Sequence, residues 1–246
     1  MTTADRWQRA VRQQIGLGRL LPLGGARDGA WIFEAAAEAV LRRAAEPVRG
    51  ARLGALRIGP AGPDGTGEPV VPSPPSALPP GPLRITADCA AAGTEPLPVT
   101  ADRLRAALSA ASDHLGLTVT EVDLRVTALL DEAGDDENPA RSSERVPPAR
   151  PASGDEERVA AVTLAVPGVT GLTGALGGAG RSVHVESRQD GAAALPHRHV
   201  RVEIAVAADH RAVEVAREVR ERVGRALADR PTVAVVVTAV GADRSG

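Results

Sequence analysis

Apolar positions along the chain switch between two periods, and the switches mark out elements. In WIFEAAAEAVLRRAAE, residues 31–46, Phe33, Ala36, Ala37, Val40, Leu41 and Ala44 share one face of a predicted helix. Glu38 and Arg42 pair at i,i+4 on the other face, and Pro47 stops the pattern. RLGALRIG and PLRITADCA then adopt a period of two and are predicted strands, the second with Leu83, Ile85, Ala87 and Cys89 on one side. Helical spacing returns over about 99–115, with Leu104, Ala107, Leu108, Ala111 and Leu115 inward. LTVTEVDLRVTAL closes the series as a strand in which Val122, Leu124 and Val126 alternate with Asp123, Arg125 and Thr127.

The second half repeats the order. Ser153 and Glu156 form a capping box for a helix that runs to Val166 and stops at Pro167. RSVHVES alternates on Val183 and Val185, and RHVRVEIAV on Val200, Val202, Ile204 and Val206. HRAVEVAREVRERVGRAL turns Ala216, Val219, Val223 and Leu227 inward and pairs Glu218 with Arg222 and Glu221 with Arg225 outside. PTVAVVVTAV is the last strand. The inward positions Leu104, Ala107, Ala111 and Leu115 recur at one constant offset as Ala216, Val219, Val223 and Leu227, which points to tandem duplication.

The predicted fold is therefore α+β, a tandem repeat of a small two-layer unit of order helix–strand–strand–helix–strand. Each unit is expected to be a mainly antiparallel sheet with two helices on one face. An N-terminal amphipathic helix and a Gly-rich turn occupy 1–25. The first unit spans 26–131 with a Pro-rich hairpin insertion at 59–82, a flexible acidic linker spans 132–157, and the second unit spans 158–243. In the last strand Val233, Val235 and Val237 alternate with Ala234 and Val236, so both faces are apolar. A sheet with helices on one side should show a polar second face, so this strand is expected to be covered twice, at an interdomain contact or in a homo-oligomer.

Composition narrows the chemistry. The chain has 246 residues, 43% of them apolar, but its only aromatics are Trp7, Trp31 and Phe33, so the core must be aliphatic. All of the basic residues are Arg, which excludes a Schiff-base, Walker-type or general-base lysine. A net charge of -2 argues against a surface built mainly to bind a polyanion. Cys89 is the one cysteine, so no intrachain disulfide forms and a reducing, cytoplasmic setting is expected. No apolar run has transmembrane length, and MTTADRWQRAVRQQ lacks signal-peptide character.

Several segments carry candidate chemistry. PGVTGLTGALGGAG holds Gly168, Gly171, Gly174, Gly177, Gly178 and Gly180, and glycine-rich backbone can cradle phosphate. Phosphate cradles precede helices, whereas this stretch follows one, so it is expected to shape a bend. Its GVTG and GLTG tetrads match the spacing of a nucleic-acid clamp but contain no basic residue. His184, His197, His199 and His210 could gather for zinc, but none pairs at i,i+4 and no Cys is near, so ordinary exposed histidines are expected. Cys89 lies on an apolar strand face, with His114 the only histidine in its half, and is expected to be buried and inert. The run DEAGDDENP spaces Asp131 and Asp135 like a calcium loop, but Asp136 stands where glycine is required, so it is expected to be solvated linker. Trp7, Ala10, Val11 and Ile15 form a stripe bordered by Arg6, Arg9 and Arg12, expected to dock on the first unit in preference to lipid. Pro72 and Pro75 have PxxP spacing, which a bare spacer explains equally well. No catalytic, cofactor-binding or metal-ligating residue is predicted.

VAAVTLAVPGVTGLTGALGG, followed by VRVEIAVAADHRAVEVAREVRERVGRAL and a valine-rich strand, resembles the alkaline shock protein family of Gram-positive bacteria, also called envelope stress response proteins. The resemblance covers about 158–240 and extends to 31–131 by architecture alone. It implies cytosolic, non-enzymatic proteins that collect beneath the membrane, usually through a small membrane anchor protein. The tandem arrangement, the Pro-rich insertion and the missing Lys depart from the family's single compact unit. No catalytic residues carry over. The expected function is a non-catalytic scaffold acting by self-association and partner binding near the cytoplasmic membrane face, without cofactor, nucleic acid or small-molecule substrate. The alternatives are an enzyme with an unrecognised site and a nucleic-acid-binding module.

Overall fold

The computed structural model describes residues 18–62, 67–130, 154–176, 181–188 and 197–241. The predicted N-terminal stripe, the acidic run, the Ser153 cap and the last glycines of the Gly-rich stretch lie outside the described residues.

Ahead of the first helix the chain makes a hairpin of β1 (Leu20–Leu23) and β2 (Ala30–Phe33), paired antiparallel with Leu21 opposite Ile32. Every residue of both strands is buried. This corrects the expected helix over 31–46, because α1 spans Glu34–Ala45 and Trp31, Ile32 and Phe33 are strand. Aromatic and β-branched side chains suit a strand covered on both faces, and such a strand shows no alternation to separate it from a helix. The rest of the helix follows its pattern, with Ala36, Ala37, Leu41 and Ala45 buried and Arg42 donating to Glu38 at 2.8 Å.

Next come β3 (Ala51–Pro60), β4 (Leu83–Ala92), α2 (Leu97–Leu115) and β5 (Val119–Leu130). β3 pairs antiparallel with β4, and β4 pairs parallel with β5 across the α2 crossover, giving a three-stranded sheet of order β3-β4-β5. The second half supplies α3 (Gly154–Leu164), β6 (Val169–Leu172), β7 (Val183–Arg188), β8 (His197–Ala207), α4 (Ala212–Ala226) and β9 (Thr232–Gly241). Here β7 is antiparallel to β8, and β8 is parallel to β9 across α4. The halves thus share element order and pairing sense, with β6 added on β8 beside β7. Each half joins a parallel pair through a helix, so both sheets are mixed. The fold is α+β, with four helices and nine strands among the described residues.

The halves do not stand apart. β2 adds in parallel to β9, with Ala30 opposite Val235 and Ile32 opposite Val237, so the hairpin from the chain's start completes a six-stranded sheet of order β1-β2-β9-β8-β6 with β7 beside β8. Val233 to Val237 are all buried, and both α1 and α4 pack on β9. This strand finds its double cover inside the chain. Burying a valine side chain contributes about 1.5–3 kcal/mol, and one continuous aliphatic core spans both halves.

The Pro-rich insertion is more than a spacer. The Val70 N–H donates to Ala26 O at 3.1 Å, the Leu78 N–H to Leu20 O at 2.8 Å, and Val71 is buried. Proline removes ladder donors but leaves its neighbours free to pack, so the segment covers the β1 edge without forming a strand.

Candidate functional site

The Gly-rich stretch begins as the bend that sequence predicts. Gly168 sits at φ +85, and a Cβ there would meet the His210 ring and the Val215 side chain at 2.8 Å. Its carbonyl accepts from the Ala207 N–H at 2.8 Å. Beyond it the chain departs from the expected loop, because β6 runs along β8 with Leu172 opposite Ile204. β7 rejoins β8 with Val183 opposite Val202. Between these two pairings stands Glu203, whose backbone N–H donates to Ser182 O at 2.9 Å and whose carbonyl accepts from Thr173 N–H at 3.0 Å. The glycine-rich residues therefore leave the sheet edge opposite a single glutamate.

That glutamate has no solvent exposure. Its carboxylate accepts the backbone N–H groups of Ala175 and Leu176, the latter at 3.0 Å to Oε2 and 3.2 Å to Oε1. Arg201 Nε and His184 Nε2 each lie 3.9 Å from Oε1. Burial pushes the Glu203 carboxyl up to about 7, against the opposing pull of the two amides and Arg201. Burial also lowers the His184 imidazole, helped by the Arg201 charge. The Arg201 Nε is buried and has no hydrogen-bond partner. Beside the cluster, Thr173 and Thr238 share a hydroxyl–hydroxyl bond of 2.8 Å, and Thr238 donates to Ile204 O at 3.1 Å. Two amides of the stretch already hold a carboxyl group, and it is the chain's own. An external phosphate would have to displace a buried side chain to use them.

Glu203 was missed by sequence reasoning because alternation with Val202 and Ile204 assigns it to an outward face. The signal available was the lone carboxylate between two core positions, together with a glycine-rich segment long enough to fold over it.

The histidines are placed separately. His199 is buried, which corrects its expected exposure, and its Nδ1 bonds to Thr232 Oγ1 at 2.8 Å. His184 is half-buried and bonds to Arg181 O at 3.0 Å, while His210 bonds to Asp209 at 2.8 Å. Among the described residues no group of three or more His, Cys, Asp or Glu could hold a metal ion. Cys89 is buried and its thiol is pushed up, mainly by burial and then by Asp88. His114 faces the second half, where its Nε2 lies 3.0 Å from Ala208 O.

A second polar assembly joins the halves. Arg217 of α4 grips the Asp28 carboxylate at 2.7 and 3.0 Å, and the Gly25 N–H caps the same group at 2.7 Å. The Arg217 bond chiefly holds the Asp28 carboxyl below its usual range. Arg220 donates to the carbonyls of Arg27 and Asp28 at 2.7 Å and of Val233 at 2.9 Å. The first two carbonyls lie just ahead of the left-handed Gly29, where a Cβ would collide with Val71 and Arg220.

The three-stranded sheet has two edges of different character. On β3, Glu34 accepts the Ile58 N–H at 3.3 Å and Arg19 donates to the Ile58 carbonyl at 2.7 Å, so that edge is capped at Ile58, toward the end of the strand. On β5, residues 125–129 are all exposed, including Val126 and Leu129. The outward face carries Glu121, Asp123 and Arg125, and Arg84 bonds to Glu121 at 2.7 Å and approaches Asp123 at 3.5 Å.

No described helix is long and apolar enough to cross a membrane. No family model matches the chain, and no curated protein matches it.

Proposed function

We propose that this chain is a non-catalytic interaction protein of the envelope-stress type, acting by self-association and by binding a protein partner near the cytoplasmic face of the membrane. The observation that carries the reading is the Glu203 carboxylate on the Ala175 and Leu176 amides. The glycine-rich stretch, the feature best suited to hold a ligand, is engaged inside the fold. The resemblance of 158–240 to the alkaline shock protein family supports the same reading. Apart from β6 and the β1–β2 hairpin, the matching element order and pairing sense of the two halves favour descent from one duplicated unit.

The competing enzyme reading has one observation in its favour. A carboxyl lifted to about 7 beside a histidine is a common mark of catalysis. Complete burial keeps Glu203 from touching a substrate. Affinity capture of the full chain from cells under envelope stress, with the membrane fraction analysed separately, tests the proposal. Recovery of a short membrane protein is expected; recovery of RNA or a metabolic complex in its place overturns it.

A further inference from the structure

We propose that β5 pairs antiparallel with β5 of a second copy of this chain, centred on Leu124, so that two three-stranded sheets become one. This rests on the self-association in the reading above and names the surface that performs it.

The edge is available and regular where the pairing falls. Between Glu121 and Val126 the strand follows β4 without a break, and its register shifts lie just outside, after Leu83 and after Cys89 of β4. The opposite edge of the sheet is capped at Ile58 by Glu34 and Arg19, and the outer edge of β1 is covered by the segment around Ala77. An exposed edge strand presents unpaired N–H and C=O groups, and natural sheets either blunt such an edge or pair it. One blunting contact exists, Arg105 Nε to Val122 O at 3.3 Å. The partner strand would take that carbonyl, leaving Arg105 its Asp102 partner at 2.5 Å.

The sequence of β5 selects the register. About Leu124 a two-fold axis sets Asp123 against Arg125 of the second copy, and Arg125 against its Asp123. The same axis sets Leu124 against Leu124 and Val122 against Val126, so apolar meets apolar on the face that packs toward α2. Opposed charges on one face of a strand pair are favourable, and like charges directly opposite are not. Moving the axis by one residue puts Asp123 against Asp123 or Arg125 against Arg125. Only the register on Leu124 satisfies both faces. Arg125 makes no ion pair among the described residues, and Val126 is 39% exposed, so both have something to gain from a partner. An axis perpendicular to the sheet keeps both α2 helices on the same side, the isologous geometry of most homodimers.

The test uses sedimentation of the full chain over a concentration series, with Asp123→Arg and Arg125→Asp variants. The wild type is expected to dimerise reversibly. Each variant alone faces like charges twice and should lose about tenfold or more in dimer affinity. An equimolar mixture of the two variants restores both opposite pairs, and a heterodimer of near wild-type affinity is expected. Neither change needs to leave the folded state intact by assumption, because the mixture reports on folded partners. A wild type that stays monomeric, variants that dimerise as well as the wild type, or a mixture that fails to associate would each overturn the proposal. Capture of a membrane partner by a monomeric chain would overturn this pairing alone and leave the broader interaction reading standing.

Discussion

Leu176 donates its backbone N–H to both carboxylate oxygens of Glu203, at 3.0 and 3.2 Å, inside a site that water does not reach. A carboxylate normally ionises near 4.5, and here burial outweighs the amides and the Arg201 charge, so the group titrates near 7. The folded chain therefore holds a proton that the unfolded chain releases.

The sign of the stability effect follows from that. With more protons bound in the folded state, the Glu203 contribution is fully present below about 4.5 and is lost as pH rises toward 7, by up to about 3 kcal/mol. His184 works in the opposite sense, since a lowered imidazole costs stability as pH falls below its ordinary 6.5. The informative quantity is the difference between wild type and Glu203→Gln in urea unfolding from pH 4.5 to 8. It should shift steadily against the wild type up to about pH 7 and then level off. A pH-independent difference would mean that the carboxyl is not the titrating group.

Two glycines make a matched pair. Gly168 combines a left-handed backbone with contacts at 2.8 Å to His210 and Val215, whereas Gly224 lies within α4 with open space around it. Gly168→Ala should destabilise by about 2 kcal/mol or more, since strain and overpacking add. Gly224→Ala should stabilise by about 0.5–1 kcal/mol, as it only removes backbone entropy from the unfolded chain. Thermal melts of the two variants check both signs.

The same contrast marks what sequence could reveal. Amphipathic α1, α2 and α4 and the alternating β4 declare themselves because one side of each meets the core and the other is more open to water, and β8 declares itself by its alternating sequence although both of its sides are largely covered. β1 and β2 do not, since LLPL and AWIF are covered on both sides and AWIF runs directly into a helical pattern. Their placement depends on Ala30 and Ile32 meeting Val235 and Val237, a parallel pairing between the chain's two ends that no local period encodes. Glu203 was hidden for a related reason. Its strand position is polar by alternation, and only the fold of Thr173 to Leu176 over it turns that position inward. The Pro-rich insertion misled in the other direction, because the absence of regular structure did not prevent Val71 from packing.

Asp28 and Arg217 test how firmly the halves are tied. The bidentate pair is capped by the Gly25 N–H, and the Asp28 side chain is mostly covered while Arg217 is half-exposed. A double-mutant cycle of Asp28→Ala and Arg217→Ala should give a coupling of about 1 kcal/mol, above a loose surface pair and below a buried one. The coupling should fade as pH drops below the usual 3.8 of an aspartate, because the Arg217 bond lowers the folded carboxyl and protonation then favours the unfolded chain. A cycle that gives no coupling at neutral pH would reduce the pair to a surface contact without energetic weight.

The strongest tie is backbone, and it bears on how the molecule unfolds. Val235 N–H donates to Gly29 O at 3.0 Å, and β2 lies flat against β9. Removing the second half would strip β2 of its only non-hairpin strand neighbour among the described residues and expose Trp31 and Ile32, which are 1% and 0% accessible. Neither half should therefore unfold alone, despite their matching topologies. In a Trp7→Phe background, fluorescence reports on Trp31 at the seam while far-ultraviolet circular dichroism reports on helices of both halves. The two denaturation curves should superimpose in midpoint and slope, the signature of one cooperative unit. Trp31 exposure in a separate, earlier transition would show that the hairpin is an accessory strand pair and that β9 is stable without it.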